Sequence, residues 1–262
     1  MSSLDLAARV VLVTGGTRGI GASIATRFLE EGAAVTVCGR SAPQVLPRAG
    51  SSEARFVQAD VRDPDQAPML VQAVTERYGR LDVLVNNAGG TSMGAAATMP
   101  PAVASSVVSL NLLAPFYVAQ LANAVMQEQP DGGTIINVGS VAAIRPAPGT
   151  ALYAAAKAGV LCLTRALALE WGPKVRVNQV TPGLVETGGS ARHYGGASGL
   201  AAVRETIPGG RMARPRDVAD ATLLLASPLA RYVSGAELRV DGGGEVPGWL
   251  VAIARAGDAG DS

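Results

Sequence analysis

Tyr153 and Lys157 stand four positions apart in the run T-A-L-Y-A-A-A-K-A-G, residues 150–159. The alanines between them favour a helix, and residues four apart share one helix face. An ammonium group beside a phenol favours the phenolate, so such a tyrosine ionises more easily than a free one. A phenol held in this way can pass a proton to or from an oxygen near neutral pH. The same spacing also occurs where two solvated side chains share a helix surface. Other stretches of the chain decide between the two.

One such stretch is T-G-G-T-R-G-I-G, residues 14–21, directly after the apolar run R-V-V-L-V. Gly15, Gly19 and Gly21 follow a predicted strand and open a predicted helix. Backbone amides at a helix N-terminus favour an anion, and glycines let a pyrophosphate come close. The spacing is G-x-x-x-G-x-G rather than G-x-G-x-x-G, and its position still predicts a dinucleotide site. Thr17, Arg18 and Ile20 lie in the same turn and are expected contacts. The second strand ends Cys38-Gly39-Arg40-Ser41. A carboxylate there would hold the adenosine ribose 2′-hydroxyl of NAD, whereas an arginine accommodates a 2′-phosphate. With Arg40 and Ser41 in that place, and Arg18 as a second cation, NADP(H) is favoured and NAD(H) is the alternative.

Alternating strands and helices must position these groups. Strands are expected at 9–13, 33–38, 55–58, 81–85, 133–138, 175–180 and 236–240. Helices are expected at 20–31, 64–78, 103–127 with a kink at Pro115, 151–171 and 216–226. This pattern predicts an α/β, doubly wound Rossmann fold with a seven-stranded parallel sheet flanked by helices. No composition break divides the chain, so residues 1–262 read as one dinucleotide-binding catalytic domain. The Gly- and Ser-rich stretch 186–210 reads as a loop, with 186–212 as the substrate-loop region. It is either a plain surface loop or a mobile lid.

Composition excludes other classes. Hydrophobic residues are 48% and charged residues 16%, with a net charge of +1. Disorder and a polyanionic partner are both disfavoured, and no basic run points to nucleic acid. The two cysteines, Cys38 and Cys162, sit in apolar runs and are expected to be buried thiols. With one histidine, His193, a zinc site is not expected, so no metal is assigned. No signal peptide is evident, and no apolar run reads as membrane-spanning, which makes a reducing, cytoplasmic setting the default. Trp249, Leu250, Val251 and Ile253 are expected to pack on this subunit or a neighbour, ahead of a frayed tip.

Taken together, the motifs resemble the short-chain dehydrogenase/reductase family from about residue 10 to 243. The resemblance rests on residues 14–21, Asp60 after the third strand, N-N-A-G at 86–89, Asn111, Ser140, Tyr153, Lys157 and P-G-L-V-E-T at 182–187. It implies that Asp60 and Val61 line the adenine pocket and that Asn87, Ala88 and Gly89 pass beside the cofactor. It implies that Ser140 hydrogen-bonds the substrate oxygen and that Tyr153 is the general acid in reduction and base in oxidation. Lys157 would bind the nicotinamide ribose and lower the Tyr153 pKa, and Asn111 would hold a water of a proton relay. Pro182, Gly183, Val185 and Thr187 would hold the nicotinamide carboxamide. Arg145-Pro146 and His193-Tyr194 are candidates for the substrate pocket, with His193 otherwise a polar loop residue.

The resulting expectation is an NADP(H)-dependent oxidoreductase that interconverts a ketone and a secondary alcohol on a small molecule. Stretches 207–219 and 233–243 resemble 3-oxoacyl thioester reductases in particular. An NAD-dependent alcohol, sugar or steroid dehydrogenase is the enzymatic alternative. A non-catalytic nucleotide-binding redox sensor would lack one of Asn111, Ser140, Tyr153 and Lys157, and all four are present. Family resemblance also implies a homo-oligomer, a tetramer or a dimer.

Overall fold

The computed structural model describes residues 4–90, 93–188, 190, 194–248, 250, 251 and 253. Its centre is β1, Val10–Thr14, whose five residues are all buried. β-branched residues suit such a strand, and a run apolar on both faces belongs inside a parallel sheet. Successive side chains point to opposite faces. Val11 and Val13 therefore join one core with Ile24, Phe28, Val218 and Leu223. Val10 and Leu12 join the other, with Leu70, Val74, Val118, Met126 and Leu167.

The remaining sheet strands are β2 (Ala34–Gly39), β3 (Arg55–Gln58), β4 (Val83–Asn86), β5 (Gly133–Val138), β6 (Val175–Pro182) and β7 (Glu237–Val240). They form one seven-stranded sheet in the order β3-β2-β1-β4-β5-β6-β7. Every pairing is parallel. Strand order reverses between β1 and β4, which opens a crevice at the carboxyl ends of these strands, where ligands bind in such sheets. Helices α1 (Gly19–Glu30), α2 (Gln66–Tyr78), α3 (Pro101–Val108), α4 (Ala114–Glu128), α5 (Ala151–Trp171), α6 (Gly196–Glu205) and α7 (Pro215–Ala226) cover or flank it. The expected doubly wound fold is thus the one observed.

Several local expectations change. The helix expected at 103–127 is interrupted by a π turn at Ser109–Leu113. Pro115 has no N–H for the carbonyl four residues back, which is that of Asn111, and a widened turn accommodates the loss. The stretch read as a loop at 186–210 contains α6, whose Leu200 joins Ile207 and Met212 in a small core of their own. A two-residue antiparallel pair, Arg48–Ala49 with Ser52–Glu53, is also present. β6 continues past Val180 to Pro182 because β7 pairs with its last residues.

Cys38 is buried as expected, but Cys162 is exposed on the outer face of α5. That helix is apolar nearly all round, so its sequence does not mark its solvent side. Contrary to the sequence reading, 101–128 and 151–171 are long and apolar enough to cross a membrane, with mean hydropathy 1.6 and 1.4. Both pack on the sheet through α4 and α5 residues such as Val118, Met126 and Leu167. His193, Trp249 and the tip 254–262 lie outside the described residues. Leu250 and Ile253 are exposed and Val251 is half-buried.

Candidate active site

The turns after β1 and β4 are joined at the switch point. Thr14 Oγ1 accepts hydrogen bonds from the Asn87 and Ala88 amides, each at 3.0 Å. Asn87 Nδ2 donates to the Thr14 carbonyl at 2.9 Å and to the Gly15 carbonyl at 3.1 Å. Gly15 has φ +62°, and a Cβ there would stand 2.9 Å from Ala88 Cα. Only glycine fits that approach. α1 then begins at Gly19, after Arg18, whose side chain does not cap it. The positive end of the helix dipole therefore faces the turn. Ile20, half-buried, packs on the core below. Thr17 lies beside Gly39, with its Cγ2 3.3 Å from where a Cβ on that glycine would be.

Arg18, Arg40 and Ser41 are exposed at this corner. Among the described residues, neither arginine has an ion pair or a side-chain hydrogen bond. Asp60 is held by Arg62, whose Nε donates at 3.0 and 3.1 Å to its two carboxylate oxygens. That contact keeps the Asp60 carboxyl below its ordinary pKa, with a smaller contribution from Arg40. Val61 is buried and reaches the space among Thr14, Ala88 and Pro115.

Ser140, Tyr153, Lys157 and Asn111 come together at the ends of β5, α5 and the π turn. Ser140 caps a short 3-10 turn, accepting from the Ala142 amide at 3.2 Å, and also hydrogen-bonds Tyr153. It is therefore both a cap and a partner of the phenol. Lys157 is 4% exposed, and its Nζ donates to the Val138 carbonyl at 2.8 Å. Burial pushes its pKa down to about 8. Its Nζ lies 5.9 Å from the Tyr153 ring centroid. Burial raises the Tyr153 pKa, and the Ser140 bond only partly offsets it. Asn111 is fully buried rather than a surface asparagine. Its Nδ2 donates to the Gly90 and Val107 carbonyls at 2.7 and 3.0 Å, and its Oδ1 accepts from the Gly90 amide at 3.1 Å. Gly89 lies between them: a Cβ there would be 3.0 Å from Asn111 Oδ1 and 3.4 Å from Lys157 Nζ.

Pro182 ends β6 and is buried. The Gly183 amide donates to the Val240 carbonyl at 3.0 Å, and Val185 bridges to Ala213. The Thr187 amide donates to Ser190 Oγ at 2.8 Å. Thr187 Cγ2 stands 4.0 Å from a Cβ placed on Gly19, so the loop after β6 faces the glycine turn.

The outer rim carries contacts that the sequence does not disclose. Arg145, exposed five residues after Ser140, pairs with Glu245 beyond β7. Pro146 beside it is exposed. Tyr194 packs on the Leu200–Met212 core, and Glu245 lies near enough for its charge to add to the burial that raises the Tyr194 pKa. Arg204 on α6 holds both oxygens of Glu186 at 2.9 Å. The Val138 carbonyl and Glu245 are partners that only folding reveals.

Residues 15–245 match the family described as enoyl-(acyl carrier protein) reductase. A 3alpha-hydroxysteroid dehydrogenase of Mediterraneibacter gnavus is 37% identical over 89% of this chain and 96% of that protein. A 3-oxoacyl-(acyl-carrier-protein) reductase of Chlamydia muridarum is 37% identical over 93% of this chain and 99% of that protein. The ligand-free aldohexose dehydrogenase of Thermoplasma acidophilum superimposes with a TM-score of 0.85 at 31% identity, covering 92% of this chain and 96% of that one. The chain thus belongs to the short-chain dehydrogenase/reductase family of oxidoreductases and is similar to its 3-oxoacyl-(acyl-carrier-protein) reductases.

Proposed function

We propose that the protein is an NADP(H)-dependent oxidoreductase that interconverts a ketone and a secondary alcohol. The observation that carries this reading is the Ser140–Tyr153 hydrogen bond beside the buried Lys157, at the strand ends that the glycine turn also borders. The residues fit a dinucleotide. The turn at Gly15 admits no side chain, α1 has no side-chain cap at Arg18, and the space over Gly19 opens toward Thr187. Gly15, Thr17, Gly19 and Ile20 would hold the pyrophosphate. Asp60 and Val61 would flank the adenine, and Asn87, Ala88 and Gly89 would border the cofactor. Pro182, Gly183, Val185 and Thr187 would hold the carboxamide, with Tyr153 and Lys157 at the nicotinamide ribose.

When bound, the nicotinamide supplies or takes up the hydride. The protein's own groups manage the oxygen and its proton. Ser140 and Tyr153 donate to the carbonyl oxygen and polarise it. Tyr153 gives up its proton as the alcohol forms, and takes one back in the reverse direction. Lys157 orients the ribose, and Asn111 positions the route by which the proton is replaced. One domain, residues 1–262, carries all these groups, with 186–212 as its substrate region.

A related enoyl-reductase group places its tyrosine further from the lysine, so resemblance in the four-residue spacing supports carbonyl rather than enoyl chemistry, whatever the description of the matching family. Reduction of a 3-oxoacyl thioester and oxidation of a steroid or sugar alcohol are narrower alternatives, each supported by relatives of that activity. We read the protein as a cytoplasmic homo-oligomer. Its thiols are free, and apolar side chains such as Leu169 at 86% and Tyr232 at 100% exposure offer contact surface.

Arg18 and Arg40 test the cofactor choice. Each loses a charge-assisted contact to the 2′-phosphate when replaced by Ala, which amounts to about 10- to 100-fold in affinity. NADPH KM should rise by that factor while NADH kinetics stay close to wild type, measured by loss of absorbance at saturating carbonyl. Equal use of both cofactors by the wild type, with no effect of Arg40→Ala, would restore NAD(H).

A further inference from the structure

Among the described residues, two ion pairs at the rim of the site join its charges to one another. The loop from Ser140 to α5 has proton-handling residues at both ends, Ser140 and Tyr153, and carries Arg145 between them. The Arg145 amide donates to the Val141 carbonyl at 2.8 Å, which ties the residue to the turn that Ser140 caps. The segment after β7 starts against Gly183, since a Cβ there would stand 2.8 Å from Asp241 Cβ. It is then anchored to α6 by the Val246 amide, which donates to the Thr206 carbonyl at 2.7 Å. Glu245 reaches from this segment to Arg145. The ion pair therefore joins the turn that Ser140 caps to the segment that starts against Gly183. On the α6 side, Glu186 and Arg204 form a second pair. The two cations and two anions cancel.

A substrate bearing a charge at its far end would have to break one of these pairs and leave the displaced partner alone. A neutral substrate leaves them intact. The pair is still rich in hydrogen-bonding capacity, because a guanidinium has five N–H donors and a carboxylate about four acceptor positions. Hydroxyl groups can use both at once. A plain hydrocarbon would desolvate the pair and return nothing.

We propose that Arg145 and Glu245 are specificity-determining residues that select an uncharged, hydroxyl-bearing carbonyl substrate by hydrogen-bonding its far end. This rests on the oxidoreductase reading above and narrows it away from acyl thioesters of anionic carriers.

Three carbonyl compounds separate the possibilities. Erythrulose and butan-2-one share a four-carbon skeleton with and without hydroxyls, and acetoacetyl-coenzyme A carries anionic phosphates. NADPH oxidation is measured for the wild type and for the double variants Arg145→Met/Glu245→Leu and Arg145→Ala/Glu245→Ala, which leave neither charge stranded and offer a hydroxyl no partner. Wild-type kcat/KM should favour erythrulose over butan-2-one by about 10-fold or more, because a site built to bind hydroxyls rejects an analogue lacking them. Both variants should lose most of that preference through KM, with butan-2-one turnover and Tm near wild type. A similar loss on both ketones would make the pair a structural strap and overturn the assignment. So would wild-type preference for butan-2-one or acetoacetyl-coenzyme A, although the oxidoreductase reading would survive. Wild-type silence on all three, with NADPH bound, would take down the reaction class and this inference together.

Discussion

Replacing Tyr153 by Phe is expected to lower kcat for carbonyl reduction by on the order of 10²- to 10⁴-fold, the usual contribution of a positioned general acid. The substitution removes one hydroxyl and keeps the ring. Ser140 then polarises the oxygen alone and no group delivers the proton. The structure sharpens this expectation. Burial raises the Tyr153 pKa, so the phenol carries at neutral pH the proton that reduction requires. Steady-state rates at saturating NADPH, with NADPH affinity and Tm measured alongside, check it. Affinity and Tm should stay near wild type. Turnover retained near the wild-type rate would move the acid to another residue and end this mechanism.

The second large effect belongs to Lys157. Its ordinary pKa of 10.5 is brought to about 8 by burial. The folded protein therefore holds this proton less tightly than the unfolded chain does. Below pH 8 both states carry it, and folding bears the full penalty of a buried ammonium. Between about 8 and 10.5 the unfolded chain stays protonated while the folded one loses the proton, so this group's contribution to stability rises with pH. Relative to Lys157→Met, the wild type should gain roughly 3 kcal/mol across that window. Denaturant titrations of both proteins from pH 7 to 10.5 measure it, and parallel curves would refute it.

Activity should move the opposite way. The charge that orients the cofactor ribose is lost as pH rises, so kcat/KM for reduction should fall above about pH 8. Lys157→Met should lose on the order of 10²-fold or more in rate at pH 7, the scale seen when a fixed electrostatic contact is removed. Lys157→Arg keeps its charge at every accessible pH, and its alkaline limb should disappear from this range. A limb near 8 that persists in Lys157→Arg would belong to another group.

Much of this site was legible before folding because it is local. Val10 to Val13 are apolar on both faces, and a strand buried on both sides has few other solutions. The glycine turn follows that strand directly, so strand, turn and helix are specified within one short segment. α5 was bounded at Ala151 and Trp171, where the structure ends it. Tyr153 and Lys157 share a face by helix geometry alone. Asn111 stands among apolar residues in the sequence, but its surroundings depend on the π turn that Pro115 opens around it.

The sequence by itself determined the order of the seven sheet strands along the chain and the strand-turn-helix unit at the glycine turn, since each is set by neighbours within a turn or two. Only the tertiary structure decided what those groups touch. Lys157 finds the Val138 carbonyl, Asn111 finds Gly90, and Arg145 finds Glu245. It also decided that burial raises the Tyr153 pKa and that Cys162 faces solvent. Burial and through-space charge depend on segments far apart in the chain, and no periodicity along one segment encodes them.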